Sequence, residues 1–343
     1  MKKVFLLLLF SICFFCCKNK PAGQAGRNEN HKPRIGLLME TLKEERWNND
    51  LKFFKAKAES LGAEVFVASC SGDEKLQIDQ AEQMLIRGVD ILVVVPHDGK
   101  SCATIVNMAH QKGVRVIAYD RMILDCDLDL YISFDNYKIG QMQAQYAIDK
   151  APEGNYILIE GAKTDNNAKL YLDGQMSVLQ KFIDEKKINI ISEQWADGWQ
   201  PSEAMKHVEN ALTKTTDIAA VVCANDGTAG GSIQALAEKN LTGKVIVTGQ
   251  DADLAACQRI ADGTQSMTIY KPIQALAEAA AVAALQIIKN ETVTDATQMQ
   301  NNGKMDVPAI LLPPVTVDLK NMMEVVIKSG YQKQSEVYDN LPR

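Results

Sequence analysis

From residue 34 onward, short apolar runs alternate with segments in which apolar residues recur every three or four positions. The short runs predict β-strands, and the spaced residues predict amphipathic helices. The segment 34–39 is the first predicted strand. A helix follows it, with an apolar face that includes Trp47, Phe54 and Leu61, and it stops at Gly62. Further strands are predicted, with helices between them, at 64–68, 90–96 and 114–120.

The second half of the chain repeats this alternation. Its apolar runs lie at 155–160, 189–195, 219–225, 245–251 and 266–271. Helical segments separate them, including 226–239 and 273–288. Apolar strands that alternate with helices are typical of parallel sheets covered by helices on both faces. The pattern therefore predicts an α/β protein with two doubly wound, Rossmann-like domains that face each other.

The first residues have a different character. Two lysines precede an apolar run from Val4 to Phe15, which is shorter than the about 20 residues that a membrane-spanning helix needs. Such a run is typical of an export signal, and its end at Cys16-Cys17 resembles a bacterial lipoprotein signal. We expect a signal over 1–17, with Cys17 as the lipid attachment site.

Two alternatives stay open at this end of the chain: lipidation of Cys16, and an ordinary cleaved signal with incidental cysteines. Residues 18–33 are polar and without periodicity, and they predict a flexible tether. In every case the protein is expected to be exported, to the periplasm or the cell envelope. The lipid of a lipoprotein would also anchor it to a membrane.

Composition narrows the class of protein. Hydrophobic residues make up 46% and charged residues 23%, which excludes a disordered, collagenous or polytopic membrane chain. The formal net charge of -6 argues against nucleic acid as a partner, because phosphate binding needs a basic surface. Beyond the signal, five cysteines spread over the chain do not form a disulfide framework.

Polar side chains close several of the predicted strands, in both halves of the chain. They are Asp120, Arg121, Asn225, Asp251 and Lys271. Open parallel sheets bind ligands beyond the carboxyl ends of their strands, so these side chains are expected to meet at a ligand site. A helix N-cap is the alternative explanation for any single residue, and we expect Asp226 and Asp253 to be caps. Caps favour Ser, Thr, Asp and Asn, so an Arg and a Lys at strand ends point to a site.

Two of the three tryptophans lie near helix starts. Trp47 follows Arg46 where a loop enters a helix, and Trp199 ends the segment Trp195-Ala-Asp-Gly-Trp199. The face of a Trp ring stacks on the C–H face of a sugar, while Asp, Asn, Arg and Lys bind its hydroxyls. Core packing is the alternative for each tryptophan, and it is favoured for Trp195. Arg46, Trp47 and Trp199 are therefore further candidate site residues.

Motifs for enzymatic and cofactor chemistry are absent from the sequence. There is no Gly-x-Gly-x-x-Gly after a strand, no P-loop, no Gly-x-Ser-x-Gly and no His-Glu-x-x-His. The four histidines are scattered, and the segment 125–136 lacks the Gly and Glu of a calcium loop. We expect neither an enzyme nor a bound cofactor or metal ion.

Short segments between about residues 34 and 340 carry a resemblance to a known family. They are Glu45-Arg-Trp47, 57–63, Ala118-Tyr-Asp-Arg-Met122, 131–136, Asp165-Asn-Asn-Ala-Lys-Leu170, Asp197-Gly-Trp199, 225–231, 249–254, Tyr270-Lys-Pro-Ile273, 301–303 and 306–308. The chain resembles the periplasmic sugar-binding proteins of ABC transporters, of the ribose-binding type (type I). Asp-Arg after a strand is common among pentose and hexose binders. The Arg-Trp, Asp-Asn-Asn-Ala-Lys and Tyr-Lys-Pro segments together are more specific to the xylose-binding group.

The resemblance implies one monosaccharide as the ligand, with D-xylose favoured over ribose, arabinose or glucose. The contact residues that it implies in the N-terminal domain are Arg46, Trp47, Asp120 and Arg121. Those implied on the C-terminal side and at the hinge are Asn167, Trp199, Asn225, Asp251 and Lys271. The two tryptophans would sandwich the sugar ring, and the other side chains would bind its hydroxyls. Asn167 is implied by the resemblance alone, and Asp165 is a weaker candidate.

The resemblance also implies three crossings of the chain between its domains, near Asp135, Lys271 and residue 305. The N-terminal domain would be 34–135 plus 272–304, and the C-terminal domain 136–271 plus 305–343. The domains would close on the sugar about this hinge, and a membrane permease would read the closed form.

A monomer is expected. The alternative function is a sugar sensor that presents its closed form to a membrane receptor. The best-known relatives are soluble periplasmic proteins, so the lipoprotein-type signal is a departure from the family.

Overall fold

The computed structural model describes residues 31–338, so the predicted signal, the predicted lipid site at Cys17 and most of the predicted tether lie outside the described residues. The strands are β1 Arg34–Met39, β2 Glu64–Ser69, β3 Ile91–Val94, β4 Arg115–Tyr119, β5 Leu130–Phe134, β6 Gly154–Glu160, β7 Ile188–Trp195, β8 Ala220–Cys223, β9 Ile246–Val247, β10 Thr268–Tyr270, β11 Gln298–Asn301, β12 Asp306–Leu312 and β13 Val315–Val317. The helices are α1 Glu45–Ser60, α2 Glu74–Ile86, α3 Ala103–Gln111, α4 Asn136–Lys150, α5 Asn166–Asp184, α6 Pro201–Leu212, α7 Asp226–Glu238, α8 Leu254–Ala261, α9 Ile273–Ile288 and α10 Gln334–Tyr338.

Seven strands form the first sheet, in the order β11-β12-β5-β4-β3-β1-β2. All neighbours are parallel except β11, which runs antiparallel to β12 at one edge. Strands such as β3, with every residue buried, need cover on both faces. Helices α1 and α9 pack on one face, and α2 and α3 pack on the other. We call this sheet and its four helices the first lobe.

The second sheet has four parallel strands in the order β7-β6-β8-β9. Helices α6 and α7 cover one face, and α4 and α5 cover the other. Strand β10 pairs antiparallel with β13. Helix α8 packs with the C-terminal segment around a cluster that includes Cys257, Val317 and Val326. These elements form the second lobe, and the predicted α/β fold class with two doubly wound sheets is confirmed.

Within residues 31–338 the chain passes between the two lobes three times, after β5, after β10 and after β12. The third crossing lies after β12, whereas the sequence-based prediction placed it near residue 305. Strand β12 pairs in parallel with β5, with Ala309 opposite Tyr131, so residues 306–312 belong to the first sheet. That part of the predicted division is wrong, because a short apolar strand such as β12 carries no sign of which sheet it joins.

The nine predicted strands are present, but the run 245–251 narrows to the two residues of β9. Beyond β9, Asp251 and Ala252 adopt left-handed backbone angles, with φ of 105° and 53°. None of the helices within residues 31–338 has both the length and the hydrophobicity needed to cross a bilayer.

Candidate functional site

The candidate site lies where both sheets present the carboxyl ends of their strands. In each sheet the chain order reverses around one strand, because β1 lies between β2 and β3, and β6 lies between β7 and β8. Loops that leave such strands diverge and open a crevice for a ligand. The loop after β1 leads into α1 with Arg46 and Trp47, and the loop after β6 leads into α5 with Asn167.

One cavity between the lobes brings all nine predicted contact residues together. All nine side chains are buried. They are Arg46, Trp47, Asp120, Arg121, Asn167, Trp199, Asn225, Asp251 and Lys271. The remaining lining residues are Glu44, Asp165, Tyr171 and Gln250.

Carboxylates from both lobes hold the Arg46 guanidinium. Its Nη2 donates to Asp120 Oδ1 at 2.7 Å, and its Nε donates to Asp50 Oδ2 at 3.3 Å. Asp251 Oδ1 in the second lobe lies 3.7 Å from its Nη1. Asp50 also accepts a hydrogen bond from the Tyr119 hydroxyl. Burial alone would lower the pKa of Arg46, but the three carboxylates raise that pKa well above its ordinary value, so the guanidinium stays charged.

Asp120 has a left-handed backbone, with a φ of 63°, which is strained for a residue other than glycine. Its carbonyl oxygen accepts hydrogen bonds from Ser133 Oγ at 2.6 Å, Tyr131 Oη at 3.0 Å and Asn167 Nδ2 at 3.0 Å. These bonds stabilise the strained turn. Burial alone would raise the pKa of the Asp120 carboxyl, but three neighbouring cationic side chains lower that pKa below its ordinary value. The carboxylate is therefore ionised and can accept hydrogen bonds from a ligand.

Asp251 and Lys271 form an ion pair on the second lobe. Lys271 Nζ lies 2.7 Å from Asp251 Oδ1, and both side chains are almost fully buried. The backbone of Asp251, also left-handed, donates to the Ile269 carbonyl at 2.8 Å and accepts from the Tyr331 hydroxyl at 3.1 Å. Removal of one member of such a pair leaves a buried charge without compensation, so each group depends on the other.

Trp199 is the third site residue with a positive φ, at 58°. Its ring lies across Gly161, and a Cβ atom at that glycine would stand only 2.1 Å from ring atom Cη2. Tyr171 packs edge-on against it, with 6.4 Å between the ring centres. The indole Nε1 is buried and has no hydrogen-bond partner among the described residues. The ring is fixed in place, and its N–H can donate to a ligand.

Trp47 lines the cavity from the first lobe. The Arg46 guanidinium carbon lies 4.2 Å from the ring centre, and that of Arg121 lies 5.5 Å from it. Such cation–π contacts restrict the ring and both arginines. Trp47 and Trp199 thus line the cavity from different lobes, while their predicted sandwich around a sugar ring stays a prediction.

An ion pair joins the lobes beside the cavity. Arg121 Nε lies 2.8 Å from Asp165 Oδ2, and its Nη1 lies 3.7 Å from Glu40 Oε2. Asp165 also caps α5, since its Oδ1 accepts from the Asn167 backbone N–H at 2.9 Å. Asp165 therefore orients two of the predicted contact residues, one in each lobe.

The structure corrects one predicted helix cap. Asn225 caps α7, because its Oδ1 accepts from the Thr228 backbone N–H at 2.9 Å, and the residue also lines the cavity. Asp226 is the first helical residue instead, and its carboxylate accepts from Gln265 Nε2 at 2.8 Å and Thr268 Oγ1 at 2.9 Å. The extended backbone that a cap needs belongs to Asn225, so the prediction of Asp226 as the cap is wrong.

The charges around the cavity are nearly balanced. Its lining carries three cationic side chains and four carboxyl groups, and burial raises the pKa of two of those carboxyls, Glu44 and Asp165. Buried atoms without hydrogen-bond partners in residues 31–338 include Glu44 Oε2 and Gln250 Oε1. Over the same residues, no group of three or more His, Cys, Asp and Glu side chains could hold a metal ion. The arrangement suits a neutral ligand rich in hydroxyl groups.

The sequence prediction missed three residues that line the cavity, Glu44, Tyr171 and Gln250. It also missed Asp50, which accepts a hydrogen bond from Arg46. Asp50 lies four residues after Arg46 on α1, and Tyr171 lies four residues after Asn167 on α5. Residues at this spacing share one face of a helix. A search at that spacing from each predicted contact would have found both.

Two α/β lobes that enclose a polar cavity at their strand ends define a class of proteins that bind small molecules between two lobes. Residues 35–292 match the periplasmic binding protein domain, and the chain belongs to this family. The family consists of solute-binding proteins and not of enzymes. The resemblance to type I periplasmic sugar-binding proteins is thereby confirmed.

Relatives in sequence and in structure agree with this assignment. The chain is 50% identical to the D-xylose-binding periplasmic protein of Escherichia coli K12 over 305 residues, which cover 89% of this chain and 92% of the relative. It is 47% identical to the protein of the same description from Haemophilus influenzae, with the same coverage. The solved structure of a carbohydrate transporter solute-binding protein from Chloroflexus aurantiacus, in complex with D-glucose, has a TM-score of 0.83 at 33% identity. The match covers 90% of this chain and 98% of the Chloroflexus chain. The chain is thus a member of the type I periplasmic sugar-binding protein family.

Proposed function

We propose that this protein binds one molecule of D-xylose in the cavity between its lobes and delivers it to the permease of an ABC transporter. The observation that carries the proposal is the convergence of nine predicted sugar contacts on one buried cavity. The near balance of charge favours a neutral sugar over a sugar phosphate. Identity of about half the residues with two D-xylose-binding relatives favours this sugar among the pentoses and hexoses.

Selectivity would follow from the burial of the contacts. An epimer with one inverted hydroxyl would leave a buried donor or acceptor without its partner, at a cost of about 1–3 kcal/mol. That cost corresponds to a roughly tenfold to hundredfold loss of affinity. The charged groups at the site, such as Asp120 and Arg46, would make the strongest of these hydrogen bonds.

Calorimetric titration of the purified protein with D-xylose, D-ribose, L-arabinose and D-glucose tests the proposal. We expect one-to-one binding of D-xylose, with the other sugars at least about tenfold weaker.

Asp251→Ala should weaken D-xylose binding by at least about tenfold, because it removes a sugar partner and leaves Lys271 unpaired. Asp79→Ala, at an exposed position on α2, is the control and should bind as the wild type does. Equal weak binding of all four sugars, or none, would contradict the proposal. Loss of labelled D-xylose uptake on deletion of the gene would support the delivery step.

The lipid anchor is a separate part of the proposal. Its support is the apolar run 4–15 that ends at Cys16-Cys17. In cells fed labelled palmitate, the protein should take up the label, and Cys17→Ala should remove the label and release the protein from membranes. Loss of label in Cys16→Ala alone would place the lipid on the other cysteine, and an unlabelled wild type would exclude the anchor. Light scattering of the purified protein tests the expected monomer.

A further inference from the structure

Glu45 connects the two lobes beside the cavity without lining it. It lies in the first turn of α1, next to Arg46. Its Oε2 accepts a hydrogen bond from the Leu254 backbone N–H at 3.0 Å, and its Oε1 accepts one from Gln332 Nε2 at 3.0 Å. Both donors belong to the second lobe, so each oxygen of this carboxylate makes a bond across the cleft.

The contact with Leu254 falls on the first residue of α8. The residue before it, Asp253, makes no capping hydrogen bond with its side chain. A carboxylate at a helix N-terminus stabilises the helix, because it accepts from a free N–H group and lies at the positive end of the helix dipole. Glu45 therefore supplies from the first lobe the cap that α8 does not obtain from its own sequence.

The second donor is held ready for this contact. Gln332 is buried, and its Nε2 also donates to the Ala252 carbonyl at 3.2 Å, in the turn that leads into α8. Its amide group is thus fixed within the second lobe before Glu45 approaches. A separation of α1 from α8 would break both bonds of Glu45 at once, while each lobe would keep its own core.

We propose that Glu45 is a positioning residue for closure, which caps α8 across the cleft and stabilises the closed arrangement without touching the sugar. The inference rests on the proposed function, because closure is measured through sugar binding. A residue of this kind changes the balance between open and closed protein. Its removal weakens the binding of every sugar by the same factor, whereas removal of a sugar contact changes the ranking of sugars.

The loss of sugar affinity on removal of Glu45 should be moderate, because Glu45 is exposed to solvent and water competes for its carboxylate. Glu45→Ala should weaken D-xylose binding roughly threefold to tenfold, mostly through faster dissociation. The ratio of D-xylose to D-glucose affinity should stay as in the wild type. Glu45→Gln keeps one acceptor oxygen, so its affinity for D-xylose should lie between those of the wild type and Glu45→Ala.

Glu59→Ala is the matched control for the experiment. Glu59 is an exposed glutamate on the same helix, and its ion pair is with Lys55 of that helix. The substitution therefore removes the same charge as Glu45→Ala but breaks no bond across the cleft. The variant should bind sugars as the wild type does. In a double-mutant cycle, Gln332→Ala should cost less in the Glu45→Ala background than in the wild type, because one of the bonds that it removes is already gone.

Small-angle X-ray scattering of the sugar-free proteins separates the two proposals. Glu45→Ala should have a larger radius of gyration than the wild type and Glu59→Ala, which would support the closure role even if no sugar on the panel binds. Identical scattering, or a change in the ranking of sugars, would overturn it. A wild type that binds no sugar would contradict the proposed function alone.

Discussion

The side chains that line the cavity are held by residues behind them. Asp50 orients Arg46, and the absence of a side chain at Gly161 lets the Trp199 ring approach the backbone closely. Groups that are held in place before binding lose little conformational freedom when a ligand arrives. These supporting residues are therefore as suitable for experimental tests as the lining itself.

Gly161→Ala should weaken sugar binding without a contact to the sugar. A Cβ atom at this position would stand 2.1 Å from the Trp199 ring, so the ring has to move out of its place. We expect an affinity loss of about tenfold or more, since the position of an aromatic anchor decides its contact area. Calorimetry measures the effect. Asp79→Ala, at an exposed position on α2, is the control, and an equal affinity of both variants would contradict the expectation.

The strand-end argument predicted contacts such as Asp120 and Asp251 because the topology of a parallel sheet brings such residues to one edge. It could not predict Glu44 or Gln250, since neither closes a strand. Asn167 came from the family resemblance alone, because a residue in the second position of a helix has no distinguishing pattern. The missed residues are thus those whose surroundings come from distant parts of the chain.

At the scale of elements, helices α4 and α5 approach each other closely through two glycines. A Cβ atom at Gly140 would stand 2.0 Å from the Tyr171 carbonyl oxygen, and one at Gly174 would stand 2.1 Å from the Tyr137 carbonyl oxygen. Backbone atoms cannot move aside as a flexible side chain can. The close approach also fixes α5, which carries Asn167 and Tyr171 of the cavity.

Gly140→Ala should therefore lower the free energy of unfolding by about 1–3 kcal/mol, because the helices must move apart to admit the methyl group. Urea unfolding followed by circular dichroism measures it. Gly227→Ala is the control, because the nearest atoms to its Cβ would be 3.6 Å away. Alanine at a loosely packed helical position is expected to be neutral or stabilising. Unchanged stability of Gly140→Ala would show that the helices can separate at no cost.

The elements themselves were largely predicted from the pattern of apolar residues, because most strands are buried on both faces. The run 245–251 was predicted too long, because only Ile246 and Val247 pair with the neighbouring strand β8. Four strands, β5, β11, β12 and β13, were not predicted. Strands β11 and β13 are short and partly exposed, so they lack a clear apolar pattern. Pairing partners, such as β12 with β5, are a property of the folded chain and not of the local sequence.

For the molecule as a whole, folding stability should depend on the protonation of Asp226. Burial raises the pKa of this carboxyl to about 7. In the unfolded chain its pKa returns to about 3.9. Between about pH 4 and pH 7 the folded state therefore holds a proton that the unfolded chain has lost, so this group's contribution to the free energy of unfolding falls as pH rises.

The asparagine of Asp226→Asn cannot ionise. The free energy of unfolding of this variant should therefore fall less steeply than that of the wild type as pH rises from 4.5 to 7.5. Urea unfolding at several pH values measures the two slopes, and the slopes are compared because the substitution also changes local hydrogen bonds. Asp79→Asn, at an exposed position, should keep the wild-type slope. The same slope in all three proteins would mean that Asp226 is ionised throughout this range.

Three of the cavity residues, Asp120, Trp199 and Asp251, have backbone angles that glycine adopts freely. Glycine at these positions would relieve backbone strain and at the same time remove a side chain that the site needs. Selection for a firmer fold and selection for ligand capture therefore favour different residues at the same three positions. A library of variants screened for thermal stability alone would tend to erase the site, and the site persists only as long as the cell has a use for what it captures.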